Sequence, residues 1–199
     1  MIYCFLIPKI PKYQIMNKQT PELIIQHTKN WLETVVIGHN ICPFAKRVFD
    51  ADTIHYEVIE SAKIEEQLQI LISTCQLLDV NHEIETSLLV YPQGLDNFDD
   101  YLDFLALANA LLEKQGYEGI YQLASFHPDY CFEGVDTNDA SNYTNRAPYP
   151  TLHIIQEASL EKALENYPEP EKIPLRNIEY TRQLGQTKMQ DLLDKCTNN

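Results

Sequence analysis

Hydrophobic and polar positions in the first part of the chain predict a helix followed by a strand. Apolar residues recur at helical spacing over residues 21–37. Thr20 is a typical capping residue, Pro21 suits the first helical position, and Gly38 ends the pattern. The alternation over residues 54–59 then indicates a strand.

The next stretch of the chain predicts a helix, a strand and a further helix. Ser61 opens an apolar stripe at helical spacing that runs to Leu78. Residues 87–91 form a short continuous apolar run, which is typical of a strand buried on both faces. Asn97 then caps a strongly periodic helix, which Gly116 ends.

Two further strands and an irregular tail complete the pattern. The strands are predicted at residues 119–126 and 151–156, and no periodic pattern lies between them. A long loop without secondary structure inside a compact domain is typically functional. From Ser159 onward, three prolines interrupt the helical patches, so we predict a wrapping tail with a short helix near residues 174–194.

Strands that alternate with helices define the expected fold class. They imply right-handed crossovers and helices packed on a sheet. We therefore expect an α/β or α+β fold, in which a single-domain sandwich holds a mixed, mostly parallel sheet packed by helices, with a ferredoxin-like arrangement as the alternative. A chain of 199 residues favours one domain. The predicted organisation is a disordered leader over 1–19, the domain over 20–185 and a C-terminal tail over 186–199.

Composition and charge restrict the function classes. The net charge is -14, and residues 50–140 hold nineteen Asp or Glu against Lys63 and Lys114 alone. Such an excess of negative charge repels nucleic-acid phosphates. No segment approaches the roughly 18 apolar residues that span a bilayer. Five cysteines without CxxC spacing, in a chain without a secretory signal, indicate reduced thiols. We therefore expect a cytoplasmic protein that binds neither nucleic acid nor membrane.

Arg146 stands out in the long loop because no other Lys or Arg lies between Lys114 and Lys162. A guanidinium offers a planar fork of N–H donors that matches a carboxylate or a phosphate. We predict that Arg146 binds an anionic small molecule, together with three neutral neighbours in the loop: Asn142, Tyr143 and Asn145. The alternative is that Arg146 pairs with an acidic residue of the same loop and pins it.

His127 follows the third predicted strand. Ligands of open parallel sheets bind beyond the carboxyl ends of the strands, which is where this residue is expected. Histidine titrates near neutral pH, so His127 is a candidate general acid or base. Equally, a His-Pro dipeptide is compatible with a turn whose hydrogen bonds are satisfied internally.

Cys42 is a candidate nucleophile in a second group of candidate residues, which follows the first predicted helix. Lys46 and Arg47 follow it and are the only basic residues between Lys29 and Lys63. Nearby cations lower the pKa of a thiol, and they also provide an anion clamp. The alternative is that Cys42 fills the core while both cations face water.

A zinc site is a further alternative, in which His39, Cys42, His127 and Cys131 supply four ligands. The chain lacks the repeated CxxC or HxxxH spacing that makes such assignments specific. We therefore predict no metal site, and the sequence indicates neither a cofactor nor an oligomeric state.

From about Thr20 to Gly185, the chain resembles the DUF1415 family of uncharacterised, mainly bacterial proteins. The resemblance rests on five long and specific runs: TxxWLExxVIGxNxCPFAKR (28–47), ETSLLVYP (85–92), FDDYLDFLxxAxxLL (98–112), YEGIYQLASFHPDYCFEG (117–134) and NYTNRAPYPTLHIIQEAS (142–159). No assigned activity comes with this family.

The resemblance bears on the candidate site residues. Six of them match the family pattern: Cys42, Lys46, His127, Asn142, Asn145 and Arg146. In that pattern Leu is common at position 39 and Gln at position 131. The resemblance therefore implies that the four-ligand zinc alternative is not a family property.

Three functions are compatible with these residues. The first is a small enzyme acting on an anionic carboxylate or phosphate, with His127 and Cys42 as acid-base or nucleophilic groups. The second is a non-catalytic anion- or nucleotide-binding regulatory module. The third is a structural or protein-interaction domain.

Overall fold

The computed structural model describes residues 19–165 and 167–198. The helices are α1 (Pro21–Trp31), α2 (Ala45–Asp50), α3 (Ile64–Val80), α4 (Phe98–Lys114), α5 (Glu157–Leu164), α6 (Ile173–Leu184) and α7 (Gln186–Lys195). The strands are β1 (Ile54–Val58), β2 (Thr86–Val90), β3 (Tyr121–Phe126) and β4 (Thr151–Gln156). A π-helical turn (Leu32–Ile37) continues α1, and 3-10 turns occupy Ala140–Thr144 and Pro170–Lys172. The predicted leader lies outside the described residues except for Gln19.

The four strands form one open sheet in the order β1-β2-β4-β3. The pair β1-β2 is parallel, while β4 is antiparallel to both of its neighbours. The mixed α/β class is confirmed, but one strand pairing is parallel where the sequence led us to expect a mostly parallel sheet. The helical crossovers do leave β1, β2 and β3 pointing the same way. Strand β4 inserts between β2 and β3 in the opposite direction, which no local pattern encodes.

The ferredoxin-like alternative is not observed. That arrangement has the element order βαββαβ. Here α3 separates β1 from β2 and α4 separates β2 from β3, whereas the long loop joins β3 to β4. The connection between β2 and β3 is therefore a helical crossover and not a hairpin.

One face of the sheet packs against α3 and α4. Leu89 and Leu152 project from neighbouring strands into a buried cluster, where they meet Leu71 of α3 and Phe104 of α4. Their side chains are at most 1% exposed. Complete burial of such a side chain contributes about 1.5–3 kcal/mol. This face of the sheet carries one of the two buried hydrophobic clusters.

The other face packs against α1, the π-helical turn and the C-terminal helices. Trp31, Leu88 and Tyr143 belong to this second cluster, which α7 completes with Met189 and Leu193. The ring of Trp31 packs edge-on against a β3 side chain, and its Nε1 donates a 3.0 Å hydrogen bond to the carbonyl of Arg146. Residues 186–199, the predicted tail, thus include a helix that is part of the core.

Most helix ends follow the sequence signals. The Thr20 hydroxyl accepts the N–H of Leu23, and the Asn97 side chain accepts two N–H groups at the start of α4. Helix α3 begins three residues after Ser61, because the Ser61 hydroxyl accepts the N–H of Lys63 and forms a local turn. The short helix predicted near 174–194 is two helices, α6 and α7, separated by Gly185.

None of the described helices combines the length and the apolar composition that crossing a bilayer requires.

Candidate functional site

A cavity of about 240 Å³ lies on the second face of the sheet. Its floor comes from alternate residues of all four strands, and its walls come from the π-helical turn, the segment around α2, and α5. The lining is mainly apolar: Trp31, Leu32, Val36, Cys42, Phe44, Ala45, Arg47, Val48, Ile54, Glu85, Thr86, Leu88, Ala124, Phe126, His153, Ile155, Gln156, Ser159, Leu160 and Ala163.

His153 lies at the centre of the cavity floor. In the sheet register it stands between Leu88 of β2 and Ala124 of β3. Its Nε2 lies 2.6 Å from the hydroxyl of Thr86. Burial lowers the pKa of His153 to about 4, because a charged imidazolium is poorly solvated there. The imidazole is therefore neutral near pH 7.

Cys42 forms part of the cavity wall and is half-buried. Burial raises the pKa of its thiol, and the N–H groups of Phe44 and Ala45 and the charge of Arg176 oppose this only in part. The expectation from the sequence was a pKa lowered by Lys46 and Arg47. That expectation was wrong in direction, because desolvation is the largest effect on this pKa and neither Lys46 nor Arg47 is among the groups that shift it. The thiol is protonated near neutral pH.

Arg47 lies at the mouth of the cavity. Its guanidinium donates two hydrogen bonds, of 2.8 and 2.5 Å, to the carboxylate of Glu85. Glu85 also accepts the hydroxyl of Thr53 at 3.2 Å. The bond to Arg47 lowers the pKa of Glu85, so the carboxylate stays ionised.

A polar vestibule of about 450 Å³ adjoins the cavity. Arg47, Glu85, Ser159 and Ala163 line both spaces, and Lys162 completes the vestibule. Lys162 is exposed and makes no ion pair within residues 19–165 and 167–198, although its charge contributes to the lowered pKa of Glu85. The vestibule thus carries two cations and one carboxylate, which is the reverse of the charge balance of the whole chain.

The π-helical turn shapes the wall opposite the strands. Such wide turns are rare and are frequent at functional sites. Here the turn contributes Leu32 and Val36 to the cavity lining. It ends at Gly38, where an added Cβ would lie 2.5 Å from the carbonyl oxygen of Thr34. Only glycine fits this close approach without a shift of the backbone.

Arg146 is not one of the residues that line the cavity. Its Nε donates to the carbonyl of Tyr130 at 3.1 Å and its terminal nitrogen to that of Thr137 at 2.9 Å. The guanidinium also lies 4.5 Å from the centre of the Tyr143 ring. No carboxylate of the described loop residues forms an ion pair with Arg146; Asp139 instead pairs with Arg182. Arg146 therefore pins the loop through backbone carbonyls.

The neutral residues predicted beside Arg146 are engaged in the same way. Asn142 is buried, accepts the N–H of Phe132 and donates to the carbonyl of Asp136. Asn145 donates to the carbonyl of Ser125. The Tyr143 hydroxyl donates to Gln190 of α7 at 2.6 Å. These bonds hold the long loop against the sheet and α7.

His127 is buried, with both ring nitrogens in hydrogen bonds. Nε2 lies 3.0 Å from the carbonyl of Leu95 and therefore carries the proton. Nδ1 accepts the N–H of Asp129 at 3.0 Å. Burial is the largest effect on the pKa of His127 and lowers it. The imidazole occupies a satisfied turn, which is the alternative that the His-Pro dipeptide left open.

The other candidate residues, Lys46, His39 and Cys131, do not line the cavity. Lys46 forms an exposed ion pair with Asp50 at 2.5 Å. Of the four alternative zinc ligands, His39 bonds the hydroxyl of Tyr180, and the Cys131 thiol contacts backbone carbonyls. Among residues 19–165 and 167–198 there is no group of three or more His, Cys, Asp or Glu side chains placed to hold a metal ion.

The structure brings together two of the predicted site residues, Cys42 and Arg47, and adds three that sequence reasoning missed. Those three are Thr86, Glu85 and His153. A signal for His153 exists in the strand TLHIIQ, where it is polar and alternates with the core residues Leu152 and Ile154. Such a position predicts a histidine on the opposite face of the sheet.

Comparison with known proteins gives one result. The sequence model of a family described as a protein of unknown function, DUF1415, matches residues 23–191. Searches of curated proteins and of solved structures return no match. The match spans every residue that lines the cavity.

Proposed function

Because the chain belongs to the DUF1415 family of proteins of unknown function, we propose a function from its own cavity: it binds a small amphipathic anion. The apolar part of this ligand occupies the cavity over β2, β4 and β3. Its carboxylate or phosphate lies in the vestibule beside Arg47 and Lys162. The observation that carries the proposal is the adjacency of these two spaces, one apolar and one with surplus positive charge.

The size of the cavity limits the apolar part of the ligand. A cavity of about 150 Å³ accepts benzene. By the same measure, a cavity of about 240 Å³ accommodates an apolar group of about nine or ten carbon atoms. Short aryl- or alkyl-carboxylates meet this limit, whereas long-chain lipids and polymers exceed it.

The vestibule charge selects an anionic group. Arg47 presents a planar fork of donors that suits carboxylates and phosphates, and its side chain is 61% exposed. Lys162 adds a second cation on α5. Glu85 holds Arg47 in place when no ligand is bound, so an incoming anion competes with this carboxylate for the guanidinium. We place this binding function in the cytoplasm, in keeping with the free thiols of the four cysteines in the described residues.

Isothermal titration calorimetry with 3-phenylpropanoate tests the proposal at pH 7. We expect binding to the wild type, no binding of acetate, and at least tenfold weaker binding to Arg47→Gln, which lacks the cation. Ala124→Leu fills the cavity floor and is expected to weaken binding equally. The matched control is Arg182→Gln, because Arg182 forms a similar pair with Asp139 and neither residue lines the cavity. Equal affinity in the wild type, Arg47→Gln and Ala124→Leu would contradict the proposal, as would no binding to the wild type.

A second candidate is an enzyme that acts on the bound molecule through Cys42 and His153. It is favoured by one observation, namely that a thiol and a neutral imidazole line the same cavity. If the imidazole deprotonates the thiol, the rate at which iodoacetamide modifies Cys42 at pH 7 falls at least tenfold in His153→Gln. An unchanged rate leaves binding without catalysis as the function.

A further inference from the structure

The floor of the cavity offers a specific hydrogen-bonding group beneath its apolar walls. His153 is half-buried, lines the cavity, and has the small side chain of Ala124 as its neighbour on β3. A larger residue at position 124 would fill the space beside the imidazole. The ring is therefore accessible to the buried end of a ligand.

The partners of Thr86 determine which nitrogen of His153 carries the proton. The Thr86 hydroxyl lies 2.6 Å from the carbonyl oxygen of Ile154 and 2.6 Å from Nε2 of His153. A hydroxyl has one proton, and a carbonyl oxygen can only accept. The hydroxyl therefore donates to Ile154, since otherwise two oxygens would lie 2.6 Å apart without a proton between them. Nε2 of His153 must then donate to the Thr86 oxygen.

The other ring nitrogen is left as an acceptor. A neutral imidazole with its proton on Nε2 has a lone pair on Nδ1. Within residues 19–165 and 167–198, no group hydrogen-bonds Nδ1. The Cys42 thiol, on the wall of the same cavity, makes no hydrogen bond with the ring. Burial lowers the pKa of His153 to about 4, which keeps the ring in this neutral form near pH 7.

From this geometry we propose that His153 is a specificity-determining residue, whose Nδ1 accepts a hydrogen bond from a hydroxyl or N–H group at the buried end of the ligand. The inference rests on the proposed binding function and narrows its ligand class. The ligand is an anion with an apolar body and a donor at the far end, as in a hydroxyaryl alkanoate. Sites built to bond a hydroxyl discriminate strongly against analogues that lack it, because their own polar group is then left unpaired.

Two matched probe pairs test the inference by calorimetry at pH 7. The first pair is 3-(4-hydroxyphenyl)propanoate and 3-phenylpropanoate, which differ only in the hydroxyl. The second pair is 4-ethylphenol and ethylbenzene, which lack the anion and therefore do not depend on Arg47. In the wild type we expect the hydroxylated member of a pair to bind at least tenfold more tightly. In His153→Leu this ratio is expected to fall to near one.

Thr86→Val provides a second variant in case His153→Leu fails to fold. It removes the acceptor for the Nε2 proton, so the ring no longer has a fixed tautomer and the ratio is expected to fall. Nitrogen chemical shifts of the ligand-free wild type report the tautomer directly and should show the proton on Nε2. A proton on Nδ1, or equal ratios in the wild type and His153→Leu, would overturn the inference.

The outcomes separate the inference from the proposed function. If both propanoates bind with equal affinity and depend on Arg47, the anion site stands and the role of His153 falls. In a second outcome neither propanoate binds, but 4-ethylphenol binds more tightly than ethylbenzene in the wild type and not in His153→Leu. His153 then binds hydrogen-bond donors as inferred, and the proposed anion site is wrong. If no probe binds, both are overturned.

Discussion

The neutral state of His153 predicts how stability depends on pH. In the folded chain burial lowers its pKa from 6.5 to about 4. Between these values the unfolded chain binds more protons than the folded chain, so the free energy of unfolding falls as the pH falls. With those two pKa values, the loss between pH 7 and pH 5 is about 2 kcal/mol. The perturbation that removes this contribution is His153→Gln.

Urea denaturation at pH 7, 6 and 5 measures the effect. The lowest pH of this series, pH 5, lies above the isoelectric point, which is about 4.7. His27, His39 and His127 also have pKa values lowered by burial and contribute to the slope in both proteins. The difference between wild type and His153→Gln isolates the one residue, since these other imidazoles do not line the cavity.

The expected result is that His153→Gln loses about 2 kcal/mol less than the wild type between pH 7 and pH 5. Cys42, Arg47 and Glu85 line the same cavity and are unchanged in the variant. His82→Gln is the matched control, because His82 is exposed in the turn after α3 and its replacement should leave the wild-type slope unaltered. Parallel profiles for wild type and His153→Gln would refute the lowered pKa of the ring.

Three other predictions follow from single contacts. Arg146→Ala should lower the free energy of unfolding by about 2 kcal/mol in urea, because it removes two hydrogen bonds to loop carbonyls and the contact with the Tyr143 ring; a change below a few tenths would contradict this role. Gly38→Ala should lower the free energy of unfolding by about 2 kcal/mol in the same assay, because the Cβ of the alanine would clash with the carbonyl oxygen of Thr34. At pH 7, Cys42 should react with iodoacetamide at least ten times more slowly in the native chain than in urea, because burial raises its pKa; equal rates would show an exposed thiol.

Part of the candidate site follows from the sequence and part does not. Cys42 and Arg47 could be named from the sequence, because a thiol beside two cations is a local feature. Arg146 was equally conspicuous, yet its acceptors are the carbonyls of Tyr130 and Thr137. Every residue has a backbone carbonyl, so the sequence does not show which carbonyls Arg146 binds. It therefore does not distinguish a guanidinium bound to backbone carbonyls from one that is free to bind a ligand.

Local periodicity by itself determined α1, α3, α4, the four strands and the mixed α/β class, but it indicated neither α2 nor α5. A helical stripe or a strand alternation depends on neighbouring residues, which explains why α4 and β4 lie where the sequence predicts them. Only the tertiary structure decided that β4 inserts between β2 and β3. That insertion joins Thr86 to His153 across 67 positions of the chain and sets the imidazole over Ala124. Strand order depends on contacts between distant residues, so the cavity and its acceptor exist only in the folded chain.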